Sequence, residues 1–552
     1  MNSDRKMRLA AYYNPTGHHV ASWRHPRADA DAHVNIQHYV KIAQTAEKAK
    51  FDLIFLADGV ATRQADIEAQ SRSVQFIANF EPMTLLSALA MVTEKIGLIC
   101  TMSTSYNEPY NVARRFASLD LISGGRSGWN LVTSGQTAEA LNFGRTGPVP
   151  HGERYQRAHE FAKIVKGLWD SWDDDAFVRD KEGGLFFDPA KMHYLNHVGQ
   201  NYQVRGPLNV PRSPQGHPVM VQAGASDEGR ELAAAYAEAI FSPHLNVEAA
   251  KAYYDDTKGR MARYGRDPDH LKILPGLSVI VAKDEQKAKE DFEFLQNLIH
   301  PIVGREILST MLGELDLRPY SLDQELPDSL TPPTGSRGHF DSILAMARKE
   351  KLTIRELGQR VAGARGKNVF VGTPTQVADY MDDWFRKEAC DGFTIMPPYI
   401  PGALDDFCEL VIPELQRRGL FRTEYEGSTL RDHLGLPKPE SIKQAAGAKI
   451  RRGLSRGPIV RSDHQRGNPC WSYPRVSSGA RSSITGIALH RRRISAMSSN
   501  SAALRDWPLS LRNRSSMARL VAVVMLSPVS FARTRARRSV SGSLMLSAMA
   551  GS

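Results

Sequence analysis

Asn130 stands near the end of a short apolar run, Trp129 to Thr133, that closes on the polar residues Thr133 and Ser134. Its amide can donate and accept at once, and polar groups at the C-terminal end of a parallel strand are where α/β proteins build their sites. Two other apolar runs end in the same way. Phe55-Leu-Ala-Asp58-Gly59 places a carboxylate at a strand end, either facing a shared mouth or capping its own turn. Cys100-Thr101-Met-Ser-Thr-Ser105 places a row of hydroxyls there. These can bond a ring edge or a phosphate, or cap the helix that opens near Pro109. His151 and Tyr155 are four residues apart and share one helical face. A helix N-terminus with a tyrosine hydroxyl suits a phosphate, although a histidine at a helix start is also an ordinary surface residue. Val221 to Asp227 reads as strand, glycine loop and helix start, with Ser226 and the loop amides forming a small anion cradle. Such turns also occur without ligands.

Several chemistries are missing from the chain. No G-x-G-x-x-G follows a strand within a βαβ unit, and no G-x-x-x-x-G-K-[ST] occurs, which argues against a built-in dinucleotide fold and a Walker NTPase. No H-E-x-x-H or Cys/His cluster points to a metal, and no G-x-S-x-G points to a hydrolase. Cys100, Cys390, Cys408 and Cys470 are scattered, so a reducing, cytoplasmic setting is expected rather than a disulfide framework. The N-terminus lacks the apolar core of a secretory signal, and no apolar run is long enough to span a bilayer.

These residues need a scaffold of strands whose ends converge. Strand-like runs lie at Met7–Tyr13, Asp52–Ala57, Ile96–Thr101, Gly128–Thr133, Pro218–Ala223, Ala239–Ser242, Ile273–Val281 and Gly392–Pro397, with helical periodicity between most of them. In the clearest helix Phe116, Leu119 and Ile122 share a face, and Ser123-Gly124-Gly125 stops it. Eight strands with intervening helices imply a TIM (β/α)8 barrel; a doubly wound open sheet is the alternative, because periodicity does not show closure. Residues 173–215 and 300–370 interrupt the alternation and are expected to cover one end of the barrel.

The net charge of +11 is divided unevenly. Residues 441–552 hold 20 Lys+Arg against Asp463 and Asp506, a balance of +18, which leaves −7 for residues 1–440. The chain therefore divides into a mildly acidic body, 1–440, and an Arg/Ser-rich tail, 441–552. The tail's composition implies disorder. An arm for nucleic acid or another anionic surface, and a second folded domain, are the alternatives.

The body resembles the flavin-dependent monooxygenases of the bacterial-luciferase superfamily, in the group acting on nitrilotriacetate, EDTA and dibenzothiophene sulfone. The resemblance runs from about Met7 to Leu436. It is carried by Phe51-Asp-Leu-Ile-Phe-Leu-Ala-Asp-Gly59, Tyr110-Asn-Val-Ala-Arg-Arg-Phe-Ala-Ser-Leu-Asp120, Gly128-Trp-Asn-Leu-Val-Thr-Ser134, Val210-Pro-Arg-Ser-Pro-Gln-Gly216 and the segment from Phe421 to Leu436. It implies a TIM barrel that binds FMN as FMNH2 and uses O2 as co-substrate through a C4a-(hydro)peroxyflavin. The positions matching the family's flavin contacts are Asp58, Thr101, Asn130, His151, Tyr155 and Ser226. His18, in Thr16-Gly-His-His-Val-Ala-Ser-Trp-Arg24, resembles a histidine beside the reacting flavin. In sulfone-oxidising members a second polar residue comes from the later insertion. Met311 and Leu312 occupy that stretch here, which argues against a sulfone substrate. The implied partners are an NAD(P)H:flavin reductase, a small organic substrate and further copies of the chain in a dimer or tetramer; neither membrane nor nucleic acid is expected. A deazaflavin-dependent oxidoreductase of the same superfold, and nucleic-acid binding through the tail, are the rival functions.

Overall fold

A computed structural model describes residues 5–62, 66–74, 77–327, 337–364 and 368–441. Eight strands form its centre: β1 (Arg8–Tyr13), β2 (Leu53–Leu56), β3 (Gly97–Ser103), β4 (Ser127–Val132), β5 (Val219–Gln222), β6 (Ala239–Ser242), β7 (Lys272–Val281) and β8 (Gly392–Ile395). Every neighbouring pair is parallel, and the ring closes through Ala239 against Lys272 and Thr394 against Gly276. Closure removes the open-sheet alternative and leaves the TIM barrel. Beyond Ser441 the proposed tail lies outside the described residues.

Alternation along the strands divides the core in two. Ala10, Leu53, Ile99, Val219, Ala239 and Leu274 fill the lumen. Their neighbours Leu9, Ile54, Leu98 and Cys100 face the helix layer. The N-terminal mouth is plugged by the short helix Leu430–Leu434, whose Leu430 and Leu434 join the lumen cluster. A Cβ at Gly97 would collide with the Leu430 side chain and sit 3.0 Å from Asp52 O, so any larger residue there forces Leu430 to move.

The glycine stop is confirmed in detail. Gly124 and Gly125 take φ of 69° and 93°, and the Gly125 amide donates to Asp120 O at 2.7 Å. That turn delivers Arg126 into the interior. Its guanidinium donates to Ser123 O, Thr93 Oγ1, Ile96 O, Ala90 O and Thr93 O at 2.7–3.1 Å. It thereby serves carbonyls that the end of helix Pro82–Ala90 leaves over. Arg126→Met is expected to destabilise the fold by about 3–5 kcal/mol, since buried acceptors left unpaired cost about 1–3 kcal/mol each before relaxation. Urea unfolding measures this, and a loss below about 1 kcal/mol would contradict the clamp.

The interruptions differ from expectation. Residues 173–215 run along helix His151–Trp169, where Glu160 accepts from the Asn201 and Tyr202 amides at 2.9 and 3.1 Å. They finish at the N-terminal end of β4, where Gln215 Nε2 donates to Ser127 O at 2.9 Å. They hold the helix layer instead of covering the site. Within them His197–Val198 pairs with Gln203–Val204, a two-residue hairpin too short to register as a pattern. The later insertion carries helices Pro301–Met311, Arg337–Glu350 and Ile354–Ala364. It also supplies an unforeseen strand, Val369–Gly372, on the far half of β7. Its first helix meets the loop after β2, where the Asp66 amide donates to Glu306 Oε1 at 3.3 Å. Leu312 is buried with Leu308 and Phe340 in the insertion's own core, and Met311 packs against it, so this stretch offers an apolar surface. Among the described residues no helix is long and apolar enough to cross a membrane.

Candidate functional site

The inward-facing residues change character towards the C-terminal mouth. Above the aliphatic layers lie Thr101 on β3 and Asn130 on β4, paired in register. Asn130 Nδ2 donates to Thr101 Oγ1 at 2.8 Å, and both side chains are buried. Asn130 Oδ1 is buried with no hydrogen-bond partner among the described residues. An orphaned amide oxygen costs free energy unless a ligand satisfies it.

Around this pair the mouth is aromatic. The Tyr12 ring lies 4.8 Å from Phe55 and 5.9 Å from Phe241, and His18 meets it edge-on at 4.4 Å. His18 Nε2 is 3.0 Å from Tyr12 O, and Nδ1 is 3.2 Å from Asn14 Nδ2. A carbonyl only accepts, so the neutral ring carries its proton on Nε2 and leaves Nδ1 to accept from Asn14. His18 is buried and lines a cavity with His19, Ser278 and Pro398.

The hydroxyl row after β3 does not cap the next helix. Helix Pro109–Ile122 opens on Glu108 with no side-chain cap. Instead Ser134 Oγ donates to Ser103 Oγ at 2.8 Å and Thr104 Oγ1 to Val132 O at 3.1 Å, which ties the ends of β3 and β4 together.

The second group lies beside that edge. Arg154 donates to Ser134 O at 2.7 Å, so the first turn of helix His151–Trp169 is fastened to the end of β4. Arg154 Nε is buried without a partner among the described residues, and its guanidinium occupies the space a side chain at residue 135 would take. Tyr155 is half-buried and its hydroxyl faces Gly224, where a Cβ would meet it at 3.0 Å. Ser226 caps helix Asp227–Tyr236, accepting from the Gly229 amide at 3.1 Å. His151 is exposed, 3.7 Å from Glu228 and 4.8 Å from the Tyr155 ring. Two helix N-termini, a tyrosine and an arginine therefore converge on one flank of the mouth, an arrangement suited to a phosphate. Arg154, between His151 and Tyr155, is a site residue the sequence reading missed; Gly135, whose lack of a side chain leaves room for the guanidinium, is the signal that points to it.

Asp58 stands on the opposite flank, half-buried after β2. Burial first, then the nearby charges of Glu81 and Glu139, push its carboxyl up to about 6, against a bond from the Gly59 amide. The unfolded chain ionises at its ordinary value while the fold holds the proton to about 6, so stability is lost as pH rises between those values. Asp58→Asn is expected to raise the unfolding temperature at pH 8 and leave it unchanged at pH 3. An equal rise at both pH values would show that the charge is not the cause. Cys100, Cys390 and Cys408 are free thiols, and among the described residues no cluster of His, Cys, Asp or Glu could hold a metal.

Comparison with known proteins gives a consistent set. Residues 16–390 match the family described as luciferase-like monooxygenase. The chain is 50% identical over 447 residues to nitrilotriacetate monooxygenase component A of Aminobacter aminovorans, covering 80% of this chain and 99% of that one. It is 50% identical over 441 residues to N-acetyl-S-(2-succino)cysteine monooxygenase of Bacillus subtilis, again covering 80% and 99%. The solved EDTA monooxygenase of Chelativorans sp. BNC1 superposes with a TM-score of 0.64 at 34% identity, over 79% of this chain and 99% of that chain.

Proposed function

This chain belongs to the luciferase-like monooxygenase family, and from that premise we propose that it is the oxygenating component of a two-component system. It takes FMNH2 from a separate NAD(P)H:flavin reductase and inserts one atom of O2 into a small organic substrate. The observation that carries this reading is the buried, unpartnered Asn130 Oδ1 in a mouth flanked by a phosphate-grade pair of helix N-termini. Those donors and acceptors fit a flat heteroaromatic ring with a phosphate on its side chain. Bound FMNH2 supplies the reduction of O2, so that one oxygen enters the substrate and the other leaves as water.

The chain's own part is to bind, orient and keep dry. Asn130 and Thr101 hold the polar edge of the ring from inside the barrel, and Asp58 meets it from the other flank. Tyr155, Ser226, His151 and Arg154 hold the phosphate, with the helix N-termini adding fixed partial charge. His18 works at the reacting atoms, where a bound reactant takes the place of Asn14 on Nδ1. Tyr12, Phe55 and Phe241 exclude water from that face, and the helices of residues 300–364 close over it. The relative named component A supports a separate reductase, as does the lack of a G-x-G-x-x-G unit in this chain. The working form is a homo-oligomer in the cytoplasm, and residues 1–440 carry the activity.

The test is product formation from small organic candidates with a flavin reductase, NADH, FMN and O2. A protein that binds no FMN, or that oxygenates only with a reduced deazaflavin, would sink the proposal. Truncation after Glu440 is expected to leave turnover intact; loss of turnover in a folded truncation would place part of the site in the tail.

A further inference from the structure

The glycine loop after β5 is gripped on several sides. Gly224 and Gly229 lie so close that a Cβ on either would come 2.9–3.0 Å from the other's backbone. The loop therefore rests on the first turn of helix Asp227–Tyr236, where Ser226 accepts from the Gly229 amide at 3.1 Å. A Cβ at Gly224 would also strike Gln222 Nε2. Gln222 is 5% exposed, and its Oε1 has no partner among the described residues. The remaining grip comes from Tyr253 on helix Val247–Arg260, whose hydroxyl donates to Gly224 O at 3.3 Å. The Tyr253 ring is buried, and the His244 ring packs on it at 4.6 Å.

Burial pushes the Tyr253 phenol up to about 12, so at neutral pH it keeps its proton and serves a carbonyl as donor. Holding that carbonyl also aims the next amide. The Gly224–Ala225 peptide is trans, and in a planar trans unit the C=O and N–H point in opposite directions. With Gly224 O turned to Tyr253, the Ala225 N–H is turned to the other side of the loop. An amide fixed in this way can meet an anion without reorganising. Tyr253 itself need not touch the ligand.

We propose that Tyr253 is a positioning residue for the phosphate cradle: by holding Gly224 O it sets the loop of residues 223–226 so that its amides and Ser226 favour a flavin that carries a phosphate over one that does not. This rests on the flavin reading for its ligand, while the cradle can be tested without a flavin. Fluorescence titrations of the full chain with FMN and with riboflavin compare the native protein with Tyr253→Phe, which removes one oxygen and keeps the ring against His244. FMN affinity is expected to fall roughly 5-fold or more, the effect of one buried hydrogen bond. Riboflavin affinity and the unfolding temperature stay unchanged, and in turnover the loss falls on the KM for FMNH2 rather than on kcat. An equal loss for both flavins, as a merely structural tyrosine would give, or an unchanged FMN affinity overturns the inference. If the native protein binds neither flavin, the monooxygenase reading falls, and inorganic phosphate followed by phosphorus NMR decides the cradle alone. Weaker phosphate binding in Tyr253→Phe then upholds the positioning role; equal binding, or none to the native protein, overturns it.

Discussion

Replacing Asn130 by alanine is expected to weaken FMN binding roughly 5- to 150-fold, the effect of losing about 1–3 kcal/mol of buried hydrogen bonding. The expectation rests on the imbalance in the apoprotein. Asn130 donates one amide hydrogen to Thr101 at 2.8 Å and keeps a buried oxygen with no partner among the described residues. The fold therefore carries an unsatisfied acceptor that the ring N–H of the proposed flavin would relieve. Alanine removes both the acceptor and the cost, so stability without flavin should fall little or rise. Asn130→Asp keeps the shape but adds a buried charge, and should weaken binding of an electron-rich ring further. Fluorescence quenching gives the affinities and thermal unfolding without FMN gives the stability. Unchanged affinity together with a large loss of stability would make Asn130 a packing residue and remove the main support for the flavin site.

His18→Ala should separate oxygenation from flavin binding. His18 is buried against Tyr12, and both ring nitrogens are engaged, at 3.0 Å to Tyr12 O and 3.2 Å to Asn14. A proton handled at Nδ1 is worth roughly 10²–10⁴-fold in rate, so product formation is expected to fall by that order. FMN affinity should remain, because the proposed ring and phosphate contacts come from other elements. NADH consumption should also continue, with electrons appearing as H2O2, since an unproductive site still lets reduced flavin meet O2. His18→Gln can accept in place of Nδ1 but cannot shuttle a proton, so recovery of yield in that variant would reduce His18 to a positioning role. Unchanged product per NADH in His18→Ala removes it from the mechanism.

Much of the scaffold was legible before any coordinates. Phe116, Leu119 and Ile122 on one helical face, then Ser123-Gly124-Gly125, then Trp129 to Thr133 specify a helix, a stop and a strand by local rules; the structure has all three elements and buries Phe116 and Leu119, while Ile122 at the helix end is exposed. The barrel itself was an inference from counting, because Ala239 against Lys272 is a closure that no window of sequence contains. Arg126 shows a different limit. Five carbonyl and hydroxyl acceptors from two segments satisfy its charge in the interior, and no single window of sequence contains both segments. Residues 173–215 were placed over the mouth because they are long. Glu160, a single residue on the neighbouring helix, gathers them along the outside of the barrel instead.

The sequence alone determined the alternation of elements, the glycine stops and the motif blocks, because these depend on periodicity and backbone conformation within a few residues. Tertiary structure decided what the polar residues face. Strand register sets Asn130 beside Thr101 with one oxygen unpaired, and burial with two neighbouring acids raises Asp58 to about 6. Register, burial and charge proximity are sums over distant residues, so they exist only once the barrel has closed.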